Sequence, residues 1–201
     1  QYALRAFLRN IFLRRTISSG VQHMNESNPS SKKRAALRIV SHLTKNGFTA
    51  LFAGGWVRDR LLSGEGPGDI DIVTDASPQT VRELFRHTVG VGEQFGVVIV
   101  VQDGIPFEVA TFRSDIGIAD GRHPERVVFS DARQDALRRD FTINGMFYDP
   151  LSDTLTDFVG GRADLDAGII RAIGDPNERF KEDYLRMLRA IRFAARFDFS
   201  I

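Results

Sequence analysis

The fold is decided by Asp69-Ile70-Asp71-Ile72, read together with Gly54-Gly55-Trp56-Val57-Arg58-Asp59 upstream. Acids alternating with isoleucines have the period of a β-strand, where side chains two apart share a face. Both carboxylates then stand side by side, roughly 6–7 Å apart at their Cα atoms, while the isoleucines enter a core. Two anions that close repel, and aspartate is disfavoured in strands, so without compensation one of them would be driven to protonate. A divalent cation is the natural compensator. The chain has no cysteine and its four histidines are scattered, so the donors are hard oxygens, which select magnesium or manganese. A pair of solvent-facing acids at a strand end is the plainer alternative.

The glycine pair shifts that balance. Phe48 to Phe52 reads as a short strand that breaks at Gly54-Gly55 and restarts as a helix through Trp56, Val57, Leu61 and Leu62. Glycines before a helix start bring backbone N–H groups close to a phosphate oxygen, and Arg58 supplies a matching positive charge. A phosphate cradle followed by paired metal-binding acids is the layout that metal-assisted phosphoryl transfer requires. Glu108, on the strand Phe107 to Phe112, either completes the metal site or activates the attacking hydroxyl; a rim glutamate is the alternative. In Arg138-Arg139-Asp140-Phe141-Thr142-Ile143-Asn144 the two arginines are placed to grip phosphate or ribose, or else to cap a helix end.

Glu182-Asp183-Tyr184-Leu185-Arg186, with Arg189 and Arg192 following, lies on what reads as one long basic helix, Glu178 to Phe197. Ordinary surface ion pairs at spacings of three and four account for part of it. The functional alternative is base reading. Cytosine and adenine both present an amino donor beside a ring-nitrogen acceptor, which an Asp acceptor and an Arg donor complement; uracil and guanine present the reverse.

Working outward, Ser27 to Lys33 reads as a linker, and Ala36, Ile39, Val40 and Leu43 as a helix ending at Gly47. Ser77-Pro78 opens another helix. Val97 to Val101 and Ile105 to Phe112 form a hairpin across Asp103-Gly104, so the sheet is at least partly antiparallel. Arg113 to Arg126, with Gly117, Gly121 and Pro124, suits a mobile surface loop. Asp131 to Arg139 reads as a helix, and Met146 to Phe158 as a strand pair around Asp149-Pro150. A P-loop lysine motif, a Gly-x-Ser-x-Gly elbow and a dinucleotide fingerprint are all missing.

Composition sets the outer bounds. At 201 residues, 42% hydrophobic and 26% charged, the chain suits one ordinary domain plus an appendage. The lack of cysteine excludes disulfides, thiolate nucleophiles and iron–sulfur clusters and favours a reducing compartment. No apolar run approaches the roughly 20 residues needed to span a bilayer, so no membrane role is expected. The formal charge of +1 conceals an asymmetry: residues 1–25 carry Arg5, Arg9, Arg14 and Arg15 and no acid. The remainder is slightly acidic, so any polyanion site is a local patch. This Arg- and Ser-rich leader reads as an organelle transit peptide or, since the first methionine is Met24, as an upstream stretch or fragment edge.

The motifs Gly54 to Asp59, Asp69-Ile70-Asp71, Arg138 to Asn144, Asp157-Phe158-Val159-Gly160-Gly161 and Glu182 to Arg186 occur in an order that resembles the bacterial and eukaryotic type of tRNA nucleotidyltransferase and its sister poly(A) polymerase. The likeness runs from Phe48 to Phe199. It implies an α+β fold, a DNA polymerase beta-like nucleotidyltransferase head with a mixed sheet, followed by the start of a helical neck. On that scheme residues 1–30 are a poorly ordered leader, 31–160 the head and 161–201 the neck, ahead of the body and tail that grip tRNA. The resemblance implies that Asp69 and Asp71 hold magnesium, and that Gly54, Gly55, Arg58 and Arg139 contact the nucleotide. It further implies that Asp183 and Arg186 template the base, that Arg189 and Arg192 bind nucleotide, and that Arg113 to Pro124, with Asp120-Gly121-Arg122, is the loop linked to switching from C to A addition.

The implied reaction adds CMP and AMP from CTP and ATP to a tRNA 3′ end in the cytoplasm, or in the mitochondrion if residues 1–25 are a transit peptide. Gly92-Glu93-Gln94-Phe95-Gly96 looks like the CCA-adding pattern where poly(A) polymerases carry a basic segment. Two rivals stay open: a poly(A) polymerase, and a non-catalytic RNA-binding fragment using the basic helix.

Overall fold

The computed structural model describes residues 29–201 apart from 65, 67–68, 91–94 and 119–123. The first helix, α1 (Pro29–Lys45), forms because Ala35, Ala36, Ile39, Val40 and Leu43 recur at helical spacing, and all five are fully buried. Gly47, at φ 86°, ends it. The expected linker over 27–33 is therefore corrected from Pro29 onward, where proline and two serines make the helix's polar first turn.

A strand, a glycine turn and a helix follow as β1 (Ala50–Ala53) and α2 (Gly55–Ser63), with the strand shifted slightly from Phe48 to Phe52. Next come β2 (Asp71–Thr74), α3 (Pro78–Leu84), β3 (Thr88–Val89), β4 (Val97–Gln102) and β5 (Ile105–Thr111). The Ser77 side chain caps α3 by accepting from Thr80 N. Asp103 and Gly104 both take positive φ, 54° and 77°, which is the twist a two-residue hairpin needs.

Where a surface loop was expected, the chain forms an antiparallel ribbon, β6 (Arg113–Ile118) with β7 (Pro124–Phe129). Strand propensity at Val127-Val128-Phe129 outweighs the surrounding glycine and charge; Asp120-Gly121-Arg122 lie outside the described residues. Then come α4 (Ala132–Leu137), a 3₁₀ turn at Thr142–Asn144, β8 (Met146–Asp149), β9 (Thr154–Asp157) and α5 (Gly161–Ala167).

The expected long helix is two, α6 (Pro176–Glu182) and α7 (Leu185–Phe197). Asp183 is extended at φ −151°, ψ 102°, and its carboxylate accepts from Leu185 N at 2.9 Å. An aspartate that satisfies a helix-start N–H with its own side chain competes with helix continuation, and here it wins.

The strands build a seven-stranded sheet in the order β3-β4-β5-β2-β1-β8-β9, in which β2 and β5 run parallel and the other pairings are antiparallel. One face, with Phe52, Ile72, Val98, Val100, Phe107 and Val109, packs under α1, Trp56 and Val57 as the main core. The other carries a smaller cluster of Leu51, Ala53, Val73, Phe112, Ala136 and Phe147, which leaves part of that face for polar residues. Trp56 is 3% exposed, meets Phe52 edge-on at 4.8 Å, and lies under Gly66, where a Cβ would stand 2.2 Å from the indole. Helix α7 docks through Ala190 and Phe193, the latter edge-on to Phe141 at 5.9 Å.

Helix α5 sits so close to the 3₁₀ turn that a Cβ on Gly161 would fall 2.1 Å from the Thr142 carbonyl oxygen. Gly161→Ala should cost about 1–3 kcal/mol, read as a lowered urea midpoint; an unchanged midpoint would contradict this packing.

Candidate active site

The sheet register brings the sequence's acids together. Asp71 lies opposite Ala53 and Ala53 opposite Phe147. Ile72 pairs with Val109 in the parallel pair, so one step back Asp71 lies beside Glu108. Asp71 and Glu108 thus share the less covered face of the sheet, in one row across β1, β2 and β5. Asp69 stands just before β2 rather than within it. Its carboxylate is 72% exposed and lies 2.9 Å from the Lys32 ammonium of α1. The expected pair of strand-borne carboxylates is corrected accordingly: Asp71 is in the strand and Asp69 is at its mouth. Among the described residues no three Asp, Glu or His side chains gather into a metal cage.

Above this row sits the glycine turn. Gly54 has φ 67°, ψ −132°, a left-handed conformation that favours glycine. A Cβ on it would lie 3.4 Å from Arg139 Nη1 and 3.9 Å from Asp71 Oδ2. Glycine turn, arginine and acid therefore meet at one point. The N-cap residue of α2, Gly54, has no side chain to cap the helix, and the start of the helix brings the positive end of its dipole to this turn.

Arg58 is spent elsewhere. It is 4% exposed, donates Nε to Asp59 at 2.6 Å and Nη1 to Asn144 Oδ1 at 2.6 Å. Its guanidinium lies over Phe193 and Phe197 at 5.1 and 4.7 Å. Burial draws its pKa below the ordinary value, with Asp59 opposing. The expected phosphate-facing cation is thus an internal bridge, joining α2 to the 3₁₀ turn and α7. Asn144 Nδ2 continues the chain to Asp140 Oδ1 at 3.0 Å, and Asp140 Oδ2 accepts from Arg189 Nε at 2.7 Å.

Arg139 owes its position to a residue the sequence reading missed. Asp135, fully buried, accepts from Arg139 Nη2 at 2.8 Å and Nε at 3.1 Å, and from Arg138 Nε at 2.8 Å. Arg139 also donates to the Asn144 carbonyl at 3.2 Å and lies over Phe147 at 4.9 Å. The available signal was the spacing: Asp135 precedes Arg138 by three and Arg139 by four, the neighbour distances of a helix.

At the helix break Asp183 and Arg186 do not pair through their side chains. Arg186 Nη1 donates to Glu182 at 2.7 Å and to the Arg179 carbonyl at 2.9 Å, and Arg179 also donates to Glu182. Arg179 Nη2 reaches the Arg138 and Arg139 carbonyls at 2.6 and 2.9 Å, tying α6 to the end of α4. Arg192 is exposed and stacks on Phe193 at 4.9 Å. No described helix is long and apolar enough to cross a membrane.

Residues 50–171 match the family described as the poly A polymerase head domain. The CCA-adding enzyme of Bacillus pumilus is 47% identical over 167 residues, which is 83% of this chain and 41% of that protein. That of Pediococcus pentosaceus is 44% identical, with 83% and 42% covered. Among solved structures, the Bacillus stearothermophilus CCA-adding enzyme in complex with CTP is 39% identical with a TM-score of 0.74, over 84% of this chain and 40% of that one. The Thermotoga maritima CCA-adding enzyme complexed with tRNA is 31% identical with a TM-score of 0.66, over 87% and 40%. The fold is therefore the mixed α+β nucleotidyltransferase head of these enzymes, and the chain spans about two-fifths of the length of its curated relatives.

Burial alone would raise the Asp135 pKa, but Arg139 and Arg138 outweigh it and hold the carboxyl below its usual 3.8. A depressed folded pKa contributes stability that is present above the unfolded value and lost as pH falls through the folded one. Asp135→Asn should cost about 3–5 kcal/mol at pH 7, and the gap to the unaltered protein should shrink as pH falls below 3.8. Urea unfolding across pH 2.5–7 checks this; a gap independent of pH would remove the ionised pair as its cause.

Proposed function

The chain belongs to the poly A polymerase head-domain family, and from that premise we propose that it carries the nucleotidyl-transfer chemistry of a CCA-adding enzyme. The substrates are CTP, ATP and the 3′ end of tRNA; the products are the extended RNA and pyrophosphate. The single observation behind this reading is the meeting of Gly54, Arg139 and Asp71 within 4 Å of one point. In this reading the glycine turn is a phosphate cradle set against an acid that lies beside Glu108. The CTP and tRNA in the complexes of its relatives are the ligands this arrangement suits.

Nucleotidyl transfer in this family is metal-dependent. The residues present fit magnesium or manganese: the donors are hard oxygens, and magnesium is commonly held by one or two carboxylates plus substrate phosphates rather than by an all-protein cage. Asp69 and Asp71 would hold it, with Glu108 alongside. Once bound, the ion supplies charge neutralisation of the triphosphate and acidification of the attacking 3′-hydroxyl.

The remaining steps belong to the protein. The N–H groups at the start of α2 and the Arg139 guanidinium receive the triphosphate and hold it in line with the RNA hydroxyl. Arg58 supports the turn from beneath. With Asp183 Oδ1 occupied by Leu185 N, Oδ2 accepts the amino group of cytosine or adenine, while Arg186, steadied by Glu182, donates to the ring nitrogen. Uracil presents the opposite order and is rejected. Arg189, which also holds Asp140, and Arg192 follow Arg186 at three-residue steps along α7 and supply further positive charge for the nucleotide.

Asp71→Asn should lower CMP incorporation into tRNA lacking its CCA end by at least about 10³-fold while leaving the thermal midpoint intact. Asp183→Ala should relax discrimination against UTP more than it raises KM for CTP. Labelled CTP and ATP, offered together and singly, decide the reaction. Ordered addition of C, C and A supports this reading; long tails from ATP alone on a generic RNA would mean poly(A) synthesis. RNA binding with no incorporation would mean a non-catalytic module.

A further inference from the structure

The outer acid of the site already has a cation. Lys32, in the first turns of α1, brings its ammonium to 2.9 Å from Asp69 Oδ1 across 37 residues of sequence. The two side chains differ in setting: Asp69 is 72% exposed, Lys32 only 20%. A lysine whose stem is covered loses little rotamer freedom on pairing, so this contact avoids much of the entropic cost that weakens surface ion pairs. Among the described residues, the cations next to it in α1 are placed differently. Arg34 donates to the Ser30 carbonyl and Lys33 is exposed.

An ammonium and a divalent ion cannot share one carboxylate oxygen without strong repulsion. Resting on the catalytic reading above, we propose that Lys32 is the resident counter-cation of Asp69 and sets the divalent-ion concentration at which the site loads. Before loading, Lys32 neutralises the outer carboxylate and relieves its repulsion with Asp71. On loading, the ion and the ammonium compete for the Asp69 carboxylate, which weakens capture of free metal and favours metal arriving with the triphosphate, whose own charge the ammonium then helps to balance.

The test is titration of the full chain with Mn²⁺, followed by electron paramagnetic resonance of the free ion, with Asp69→Asn as reference for site-specific binding. Lys32→Met should tighten Asp69-dependent Mn²⁺ binding about 3- to 10-fold and lower the half-saturating Mg²⁺ concentration for CMP incorporation in the same direction. Lys32→Arg should stay within about twofold of the unaltered protein, since it keeps the charge. Lys33→Met makes the same change in net charge one residue away and should have little effect. Unchanged affinity in Lys32→Met, or equal tightening in Lys33→Met, overturns the role of Lys32 and leaves the catalytic reading standing. If Asp69→Asn removes no Mn²⁺ binding from the unaltered protein, the metal assignment of Asp69 fails, and the inference about Lys32 fails with it.

Discussion

A buried guanidinium holds this molecule's parts in register. Arg58 is almost without contact with water, and burying a cation is costly unless its N–H groups are matched. Asp59 and Asn144 provide that match, while Phe193 and Phe197 provide the aromatic faces. These four partners come from α2, the 3₁₀ turn and α7, so the charge is satisfied only when all three are in place. The path continues through Asn144 to Asp140 and Arg189. Glycine turn, arginine motif and α7 are thereby one polar unit, and the placement of Gly54 follows from contacts on the far side of α2.

The same economy governs the acidic side. The sheet's main core lies on the face away from Asp71 and Glu108, and the cluster on their own face is smaller. Two acids in neighbouring strands are tolerable where the face is not fully covered and cations stand near: Arg139 over the glycine turn, Lys32 at the strand mouth. Asp135 anchors Arg139 from below, so the positive charge opposite the acids is itself pinned by a buried negative one. Alternating charges, each held by the next, keep these residues assembled.

Much of this was legible in the sequence where the information is local. Alternation marked β2, Asp103-Gly104 marked the β4–β5 hairpin, and glycines before an apolar helix marked the turn at Gly54. What escaped was of two kinds. Long-range partners left no trace: Arg58 has the spacing of a phosphate ligand, and only the fold reveals that Asn144, 86 residues away, claims it. Local competition was the other kind. Around Asp183 the ion-pair spacings of a continuous helix run on unbroken, and Glu182 does pair with Arg186, yet one side-chain hydrogen bond to Leu185 N ends the helix. The ribbon β6–β7 was read as a loop because charge and glycine obscured a short run of strand formers.

Trp56 carries a consequence for how this protein can be studied. It is the chain's single tryptophan, it directly follows Gly55, and its indole is enclosed by Phe52, Tyr148 and Gly66. Its fluorescence therefore originates from one place, the hinge between glycine turn and helix, in surroundings shielded from water. The chain thus carries its own optical probe beside the glycine turn, and changes at that turn can be followed by emission without attaching a dye.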